Sequence, residues 1–185
     1  GIQVHGGIGF IEESGAPQHL RDARITSIYE GTNGIQAIDL VGRKLMRDGG
    51  AAAHRFLAEV AATARELSDA GPADEMMGRR LAAAAAELER ATRWLVETYP
   101  RNVELALAGA SPYLALFGTV AGGWTLMRQA QASARRATTD VDVDPPHKVT
   151  VARFYADNLL SVAPGLASQV IEAGDSTLAM PPDLL

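Results

Sequence analysis

Met77-Gly78-Arg79-Arg80-Leu81-Ala82-Ala83-Ala84-Ala85-Ala86-Glu87-Leu88-Glu89-Arg90-Ala91-Thr92-Arg93-Trp94-Leu95 is the stretch that decides the fold class. Within it Met77, Leu81, Ala84, Leu88, Ala91 and Leu95 alternate steps of four and three. On a helix of 3.6 residues per turn that spacing holds them in one stripe, a seam facing neighbouring helices. Alanine has the best intrinsic helix propensity and puts little in the way of a second helix packing closely. The spacing predicts one helix over Ala73 to Glu97.

The same reasoning extends in both directions. Ala52 to Leu67 carries Phe56, Val60, Ala64 and Leu67 on one face. Val103 to Ala134 carries Leu114, Phe117, Ala121 and Trp124, with Pro112 expected to kink or restart it. Pro146 to Ala163 carries Val151, Tyr155, Leu159 and Val162, and a last turn or two, Leu166 to Ala173, ends at Gly174. Strand signals are confined to Val141-Asp142-Val143, too short to count. The expectation is all-α: an antiparallel helical bundle preceded by a Gly-rich loop and short-helix segment. A chain of 185 residues with 47% hydrophobic content is long enough for one substantial core or two small ones.

Ahead of the bundle the character changes. Gly6, Gly7, Gly9, Gly15, Gly31, Gly34, Gly42, Gly49 and Gly50 crowd the first fifty residues, and the pair after Asp48 marks the expected boundary between residues 1–48 and residues 49–185. Ala16 to Arg24 suits a short helix with Pro17 in its first turn. Ile25-Thr26-Ser27-Ile28-Tyr29 is a poor helix former and reads as extended. A second helix is expected to start at Thr32 or Asn33, with Asn33 as cap, Gln36 returning its hydrogen bond, and Ile35, Ile38, Val41 and Leu45 buried.

Composition excludes several functions. The net charge of −5 lacks the cationic footprint of a nucleic-acid binder. With no Cys there is no disulfide, thiolate nucleophile or cysteine-based zinc site, and His54 and His147 have no partner at metal-ligand spacing, so no metal is expected. Leu105 to Met127 carries no charge, but its Gly, Ser, Thr and Pro content points to a buried bundle helix rather than a membrane span. The chain does not start with Met or with a signal-peptide layout, and is expected to be a piece of something longer.

Chemistry concentrates in the first fifty residues. Gln3-Val4-His5-Gly6-Gly7-Ile8-Gly9 is a turn whose missing side chains let backbone N–H groups approach a phosphate, although no strand precedes it. Tyr29-Glu30-Gly31-Thr32-Asn33-Gly34 sets a carboxylate just before a helix start, with Gly31 permitting close approach of a ligand. A carboxylate held away from water gains basicity, which suits proton abstraction beside a carbonyl. On spacing alone the favoured readings of these two motifs are an ordinary helix-ending turn and a solvated loop Glu. Arg21, Asp22 and Arg24 read as ion-pairing residues of the short helix.

Gln3-Val4-His5-Gly6-Gly7-Ile8-Gly9-Phe10, Leu20-Arg21-Asp22-Ala23-Arg24-Ile25 and Ile28-Tyr29-Glu30-Gly31-Thr32-Asn33-Gly34-Ile35-Gln36, in that order, resemble the closing segment of the acyl-CoA dehydrogenase family. The likeness spans residues 1 to 47 and is to the subgroup with an extra helical region after the usual C-terminus, methylthiopropanoyl-CoA dehydrogenases among them. It implies a FAD-dependent oxidoreductase of fatty acid metabolism that makes an α,β double bond in an acyl-CoA. Glu30 falls at the family's base position, with its backbone N–H holding the thioester carbonyl. Gly31 and Tyr29 match substrate positions; Gln3, Gly6, Gly7 and Thr32 match FAD contacts, as does Gly34 through its backbone alone. The resemblance further implies FAD held mainly by regions outside this chain, an electron-transfer flavoprotein as acceptor, a homo-oligomer and a cytoplasmic setting without membrane or nucleic-acid partners. It also implies that residues 1–185 alone are inactive. Two other readings stand beside it: a helical oligomerisation or partner-docking module, and a non-dehydrogenating flavoprotein of the same fold.

Overall fold

Helix formers dominate, and the computed structural model, which describes residues 1–136, 145–181 and 183, is all-α, with no strand among those residues. The Val141–Val143 stretch lies outside the described residues. The chain divides into two compact units, Gly1–Ala37 and Ile38–Leu185.

The first unit is built from turns and short helices. A one-turn helix α1 (Gly7–Phe10) packs on α2 (Ala16–Ile25), which has Pro17 in its first turn. Arg21 pairs with Glu12, tying α2 to the loop before it. α3 (Asn33–Asp39) follows the Tyr29–Thr32 turn. This unit buries very little: Val4 is 88%, Phe10 81%, Ile8 67%, Leu20 59% and Ile35 58% exposed.

The second unit is the bundle. After a π-helical turn (Leu40–Leu45) and a 3-10 turn (Met46–Asp48) come α4 (Ala51–Ala70), α5 (Pro72–Thr98), α6 (Val103–Ala108), α7 (Ala110–Arg136), α8 (Pro145–Asn158), α9 (Ala163–Glu172) and α10 (Gly174–Leu178). α5 is the central helix and packs against α4, α7, α8 and α9. That position buries its whole seam, Met77, Leu81, Ala84, Leu88, Ala91 and Leu95. α4 and α5 approach so closely at Gly78 that a Cβ there would lie 2.5 Å from Ser68 Oγ and 2.6 Å from the Ala64 carbonyl oxygen. Only glycine fits such a crossing.

Polar groups in the core are tied locally. Buried Thr92 donates its hydroxyl to the Leu88 carbonyl at 2.7 Å, so Tyr113, 2.8 Å away, must donate to Thr92 Oγ1. Burial pushes the Tyr113 phenol up to about 12. Phe56 stacks on Phe117 at 5.0 Å and meets Trp124 edge-on at 5.4 Å, joining α4 to α7. Trp124 Nε1 donates to Thr63 Oγ1 at 2.9 Å.

Several expected stripes are displaced by one residue. On α7 the buried line is Tyr113, Leu116, Val120 and Met127, not Leu114, Phe117, Ala121 and Trp124. On α8 and beyond it is Ala152, Ala156, Leu160 and Ala163, leaving Val151, Leu159 and Val162 exposed. On α8 close helix packing favours small Ala152 and Ala156 inward, so the larger neighbours turn out. On α7 both lines are large, and Phe117 and Trp124 stay half-buried against Phe56. In the second helix Val41 and Leu45 are buried as expected, whereas Ile35 and Ile38 are 58% and 46% exposed. The uncharged stretch Leu105–Met127 splits at Gly109, and no helix among the described residues is long and apolar enough to cross a membrane.

Candidate functional site

The site residues named from sequence all lie in the first unit, in two separate turns. In the N-terminal one, His5 N–H bonds the Gly1 carbonyl at 3.1 Å and Gly6 N–H the Gln3 carbonyl at 3.2 Å, curling the chain before α1. Gly6 takes φ +60 there, and a Cβ at Gly6 or Gly7 would meet nothing within 4 Å. Gln3 lines an open concavity of about 490 Å³ with Gly1, Ile2, Ala16, His19 and Leu20; Glu30 and its neighbours do not line it.

The second turn is made by the C-terminus of α2. Thr26 Oγ1 donates to the Ala23 carbonyl at 2.7 Å and Ser27 Oγ to the Arg24 carbonyl at 2.9 Å, using short polar side chains to close the last helical turn. Ser27, Ile28 and Tyr29 N–H groups bond back to the carbonyls of Arg24, Ile25 and Ile25. The segment expected to be extended is thus a run of hydrogen-bonded turns, because these hydroxyls give the helix end local partners.

Glu30 then enters the left-handed region at φ +56, the one non-glycine residue with positive φ among the described residues. Gly31 follows at φ +121, and the chain turns into α3. Non-glycine residues seldom take this conformation, and where they do the site is often functional. Glu30, Tyr29, Thr32 and Gly34 are exposed and Gly31 is half-buried, so the chain's own residues do not take the Glu30 carboxylate out of water. No hydrogen bond engages the Glu30 N–H among the described residues. Gln36 does not cap Asn33: its side-chain Nε2 donates to the Glu30 carbonyl at 3.3 Å.

Two features of the site have no clear signal in the sequence. Gly9 is the packed glycine of its motif, since a Cβ would lie against the Ile2 carbonyl oxygen and His5 Cβ. Its i+2 spacing from Gly7 offers no sign of that. The Gln36 bond to Glu30 is masked by a competing pattern, because a Gln three residues after Asn33 also fits a capping box. No group of three or more His, Asp and Glu among the described residues is placed to hold a metal ion.

Residues 1–46 match the family model for the acyl-CoA dehydrogenase C-terminal domain, and residues 56–181 match the one described as acetyl-CoA dehydrogenase C-terminal like. The chain belongs to this acyl-CoA dehydrogenase C-terminal family. It is 42% identical over 179 residues to the 3-methylmercaptopropionyl-CoA dehydrogenase of Ruegeria pomeroyi, covering 96% of this chain and 30% of that protein. It is 32% identical over 190 residues to the broad-specificity linear acyl-CoA dehydrogenase FadE5 of Mycobacterium tuberculosis, again 96% of this chain and 30% of the other. A shorter likeness, 52% over 44 residues, is to the human mitochondrial short-chain specific acyl-CoA dehydrogenase, covering 24% of this chain and 11% of that protein. The chain spans about 30% of the length of the first two relatives.

Proposed function

We propose that this chain is the C-terminal region of a FAD-dependent acyl-CoA dehydrogenase and that Glu30 is the base that removes the α-proton of the thioester. The observation that carries this is the Glu30 turn. It combines a carboxylate in a rare left-handed conformation with an N–H that no described residue engages. A thioester carbonyl accepting from that N–H would be polarised, which acidifies its α-carbon. The carboxylate on the same residue then takes the α-proton. Tyr29 and Gly31, its neighbours in the chain, are the proposed substrate contacts. Bound flavin would supply the acceptor for the β-hydrogen, which leaves as hydride.

We assign the adenosine-diphosphate portion of FAD to the backbone at Gly6 and Gly7, where a Cβ would meet nothing within 4 Å, with Gln3, Thr32 and Gly34 as further proposed contacts. The exposed apolar side chains of residues 1–37 support a larger assembly around this unit. In the proposed assembly, residues 1–48 close the dehydrogenase's helical domain and residues 49–185 form an added bundle. The separate family matches to residues 1–46 and 56–181 support that reading, while the compact units of the fold divide between Ala37 and Ile38. A homo-oligomer with shared flavin sites, an electron-transfer flavoprotein as acceptor and a cytoplasmic setting complete the reading.

The test is flavin bleaching by a panel of acyl-CoAs in the complete flavoprotein, wild type beside Glu30→Gln. Bleaching that falls by at least about 10²-fold in the variant, with flavin still bound, is the expected result for loss of the base. Equal bleaching in both proteins would place the base elsewhere. Residues 1–185 alone are expected to show no activity, and stoichiometric FAD binding with bleaching by that chain would overturn the assembly reading.

A further inference from the structure

We propose that Gln36 is a positioning residue for the proton-transfer step, acting through the backbone of Glu30; this rests on the reading of Glu30 as the base. Glu30 occupies a conformation that L-residues seldom adopt, and such conformations persist only where the surroundings over-determine them. The polar side chain that reaches this turn is that of Gln36. Its Nε2 donates to the Glu30 carbonyl at 3.3 Å, while its own N–H is fixed to the Thr32 carbonyl at 2.9 Å in the first turn of α3.

The two bonds join the turn to the helix that follows it. Across a trans peptide the carbonyl and the next N–H point in opposite directions. Holding the Glu30 oxygen toward Gln36 therefore fixes the plane of the Glu30–Gly31 peptide and turns the Gly31 N–H away from α3. Ile35 lies beside the same peptide: its Cγ2 is 3.1 Å, and Gln36 Nε2 4.0 Å, from where a Cβ on Gly31 would stand. The Gln36 amide and the Ile35 side chain thus brace the turn together from α3, the amide through the Glu30 carbonyl and Ile35 through contact at Gly31. Without the amide, Glu30 is free to relax toward ordinary backbone angles, which moves its carboxylate relative to the substrate.

The variant to make is Gln36→Met in the complete flavoprotein, because methionine keeps the length and loses the donor. The expected result is a fall of about tenfold to 10²-fold in kcat, the scale that follows misplacement of a catalytic group by a fraction of a residue's reach. KM stays within about twofold, flavin content and melting temperature are unchanged, and the α-deuterium isotope effect on kcat increases as proton transfer becomes rate-limiting. Gln36→Lys, which keeps an N–H donor, restores most of the rate. Amide hydrogen exchange over Tyr29–Asn33, measured without acyl-CoA, is faster in Gln36→Met.

An unchanged kcat with unchanged exchange would overturn the proposal. So would a loss of flavin or of thermal stability in step with kcat, since that marks a merely structural role. Wild-type bleaching in Glu30→Gln would defeat the reading of Glu30 as base, while the exchange measurement still decides whether Gln36 holds the turn.

Discussion

Replacing Tyr113 with Phe should do little at neutral pH and reverse the order of stability in alkali. The phenol is fully buried and donates to Thr92 Oγ1, whose own proton is committed to the Leu88 carbonyl. At pH 8 the variant loses one hydrogen bond but leaves Thr92 still donating, a cost of about 1 kcal/mol. The wild-type phenol is pushed up to about 12 from an ordinary value of 10.0. Between those values the unfolded phenol ionises and the folded one does not. The unfolded state then binds fewer protons, so stability present below pH 10 is lost as pH rises toward 12. The slope is about 1.4 kcal/mol per pH unit, with a total near 2–3 kcal/mol. At pH 11 the wild type has therefore lost roughly 1.4 kcal/mol that Tyr113→Phe keeps, enough to outweigh its advantage of about 1 kcal/mol. Tyr155, also raised by burial, titrates in both proteins and drops out of the difference. The assay is urea unfolding followed by helical circular dichroism at pH 8 and pH 11. A gap between the two proteins that is the same at both pH values would refute the argument.

The remaining predictions concern packing and the site. Gly78→Ala gains about 1 kcal/mol of helix propensity but forces its methyl against the backbone of α4, and a net loss of about 1–2 kcal/mol is expected in the same unfolding assay. Ser133 Oγ is buried without a hydrogen-bond partner among the described residues, so Ser133→Ala should raise stability by about 1 kcal/mol; a loss of that size would show that the hydroxyl is satisfied after all. Glu30→Gln should abolish acyl-CoA bleaching with flavin retained, and Gln36→Met should lower kcat at nearly constant KM.

How much of the fold is legible in the sequence depends on the size of the residues facing inward. The α5 stripe is legible because its inner residues include Met77, Leu81, Leu88 and Leu95, large enough to stand out from the alanines around them. On α8 the inner residues are Ala152 and Ala156, while Val151 and Phe154 face out, so hydrophobicity points to the neighbouring face. On α7 both the inner line of Tyr113, Leu116, Val120 and Met127 and the neighbouring line of Leu114, Phe117 and Trp124 are apolar, so hydrophobicity alone does not choose between them. At the site, the residue types and their order are legible, but the backbone is not. Nothing in Ile25–Tyr29 announces that Thr26 and Ser27 will close α2 with their hydroxyls, or that Glu30 rather than Gly31 is the first to turn left-handed. Those outcomes depend on where carbonyls fall at a helix end, which side-chain periodicity does not encode.

The bare apolar surface of residues 1–37 sorts variants by phenotype. The bundle has a core of its own, so a lesion at Leu88 or Gly78 should act on how much protein a cell accumulates, through folding and proteolytic triage. The first unit has almost no interior to damage. Changes at Glu30 or Gln36 should leave yield alone and show up as turnover, whereas polar replacements at Phe10 or Leu20 should act on assembly. Abundance, turnover and assembly state, measured on one panel of substitutions, would then separate along the chain at the division between the two units.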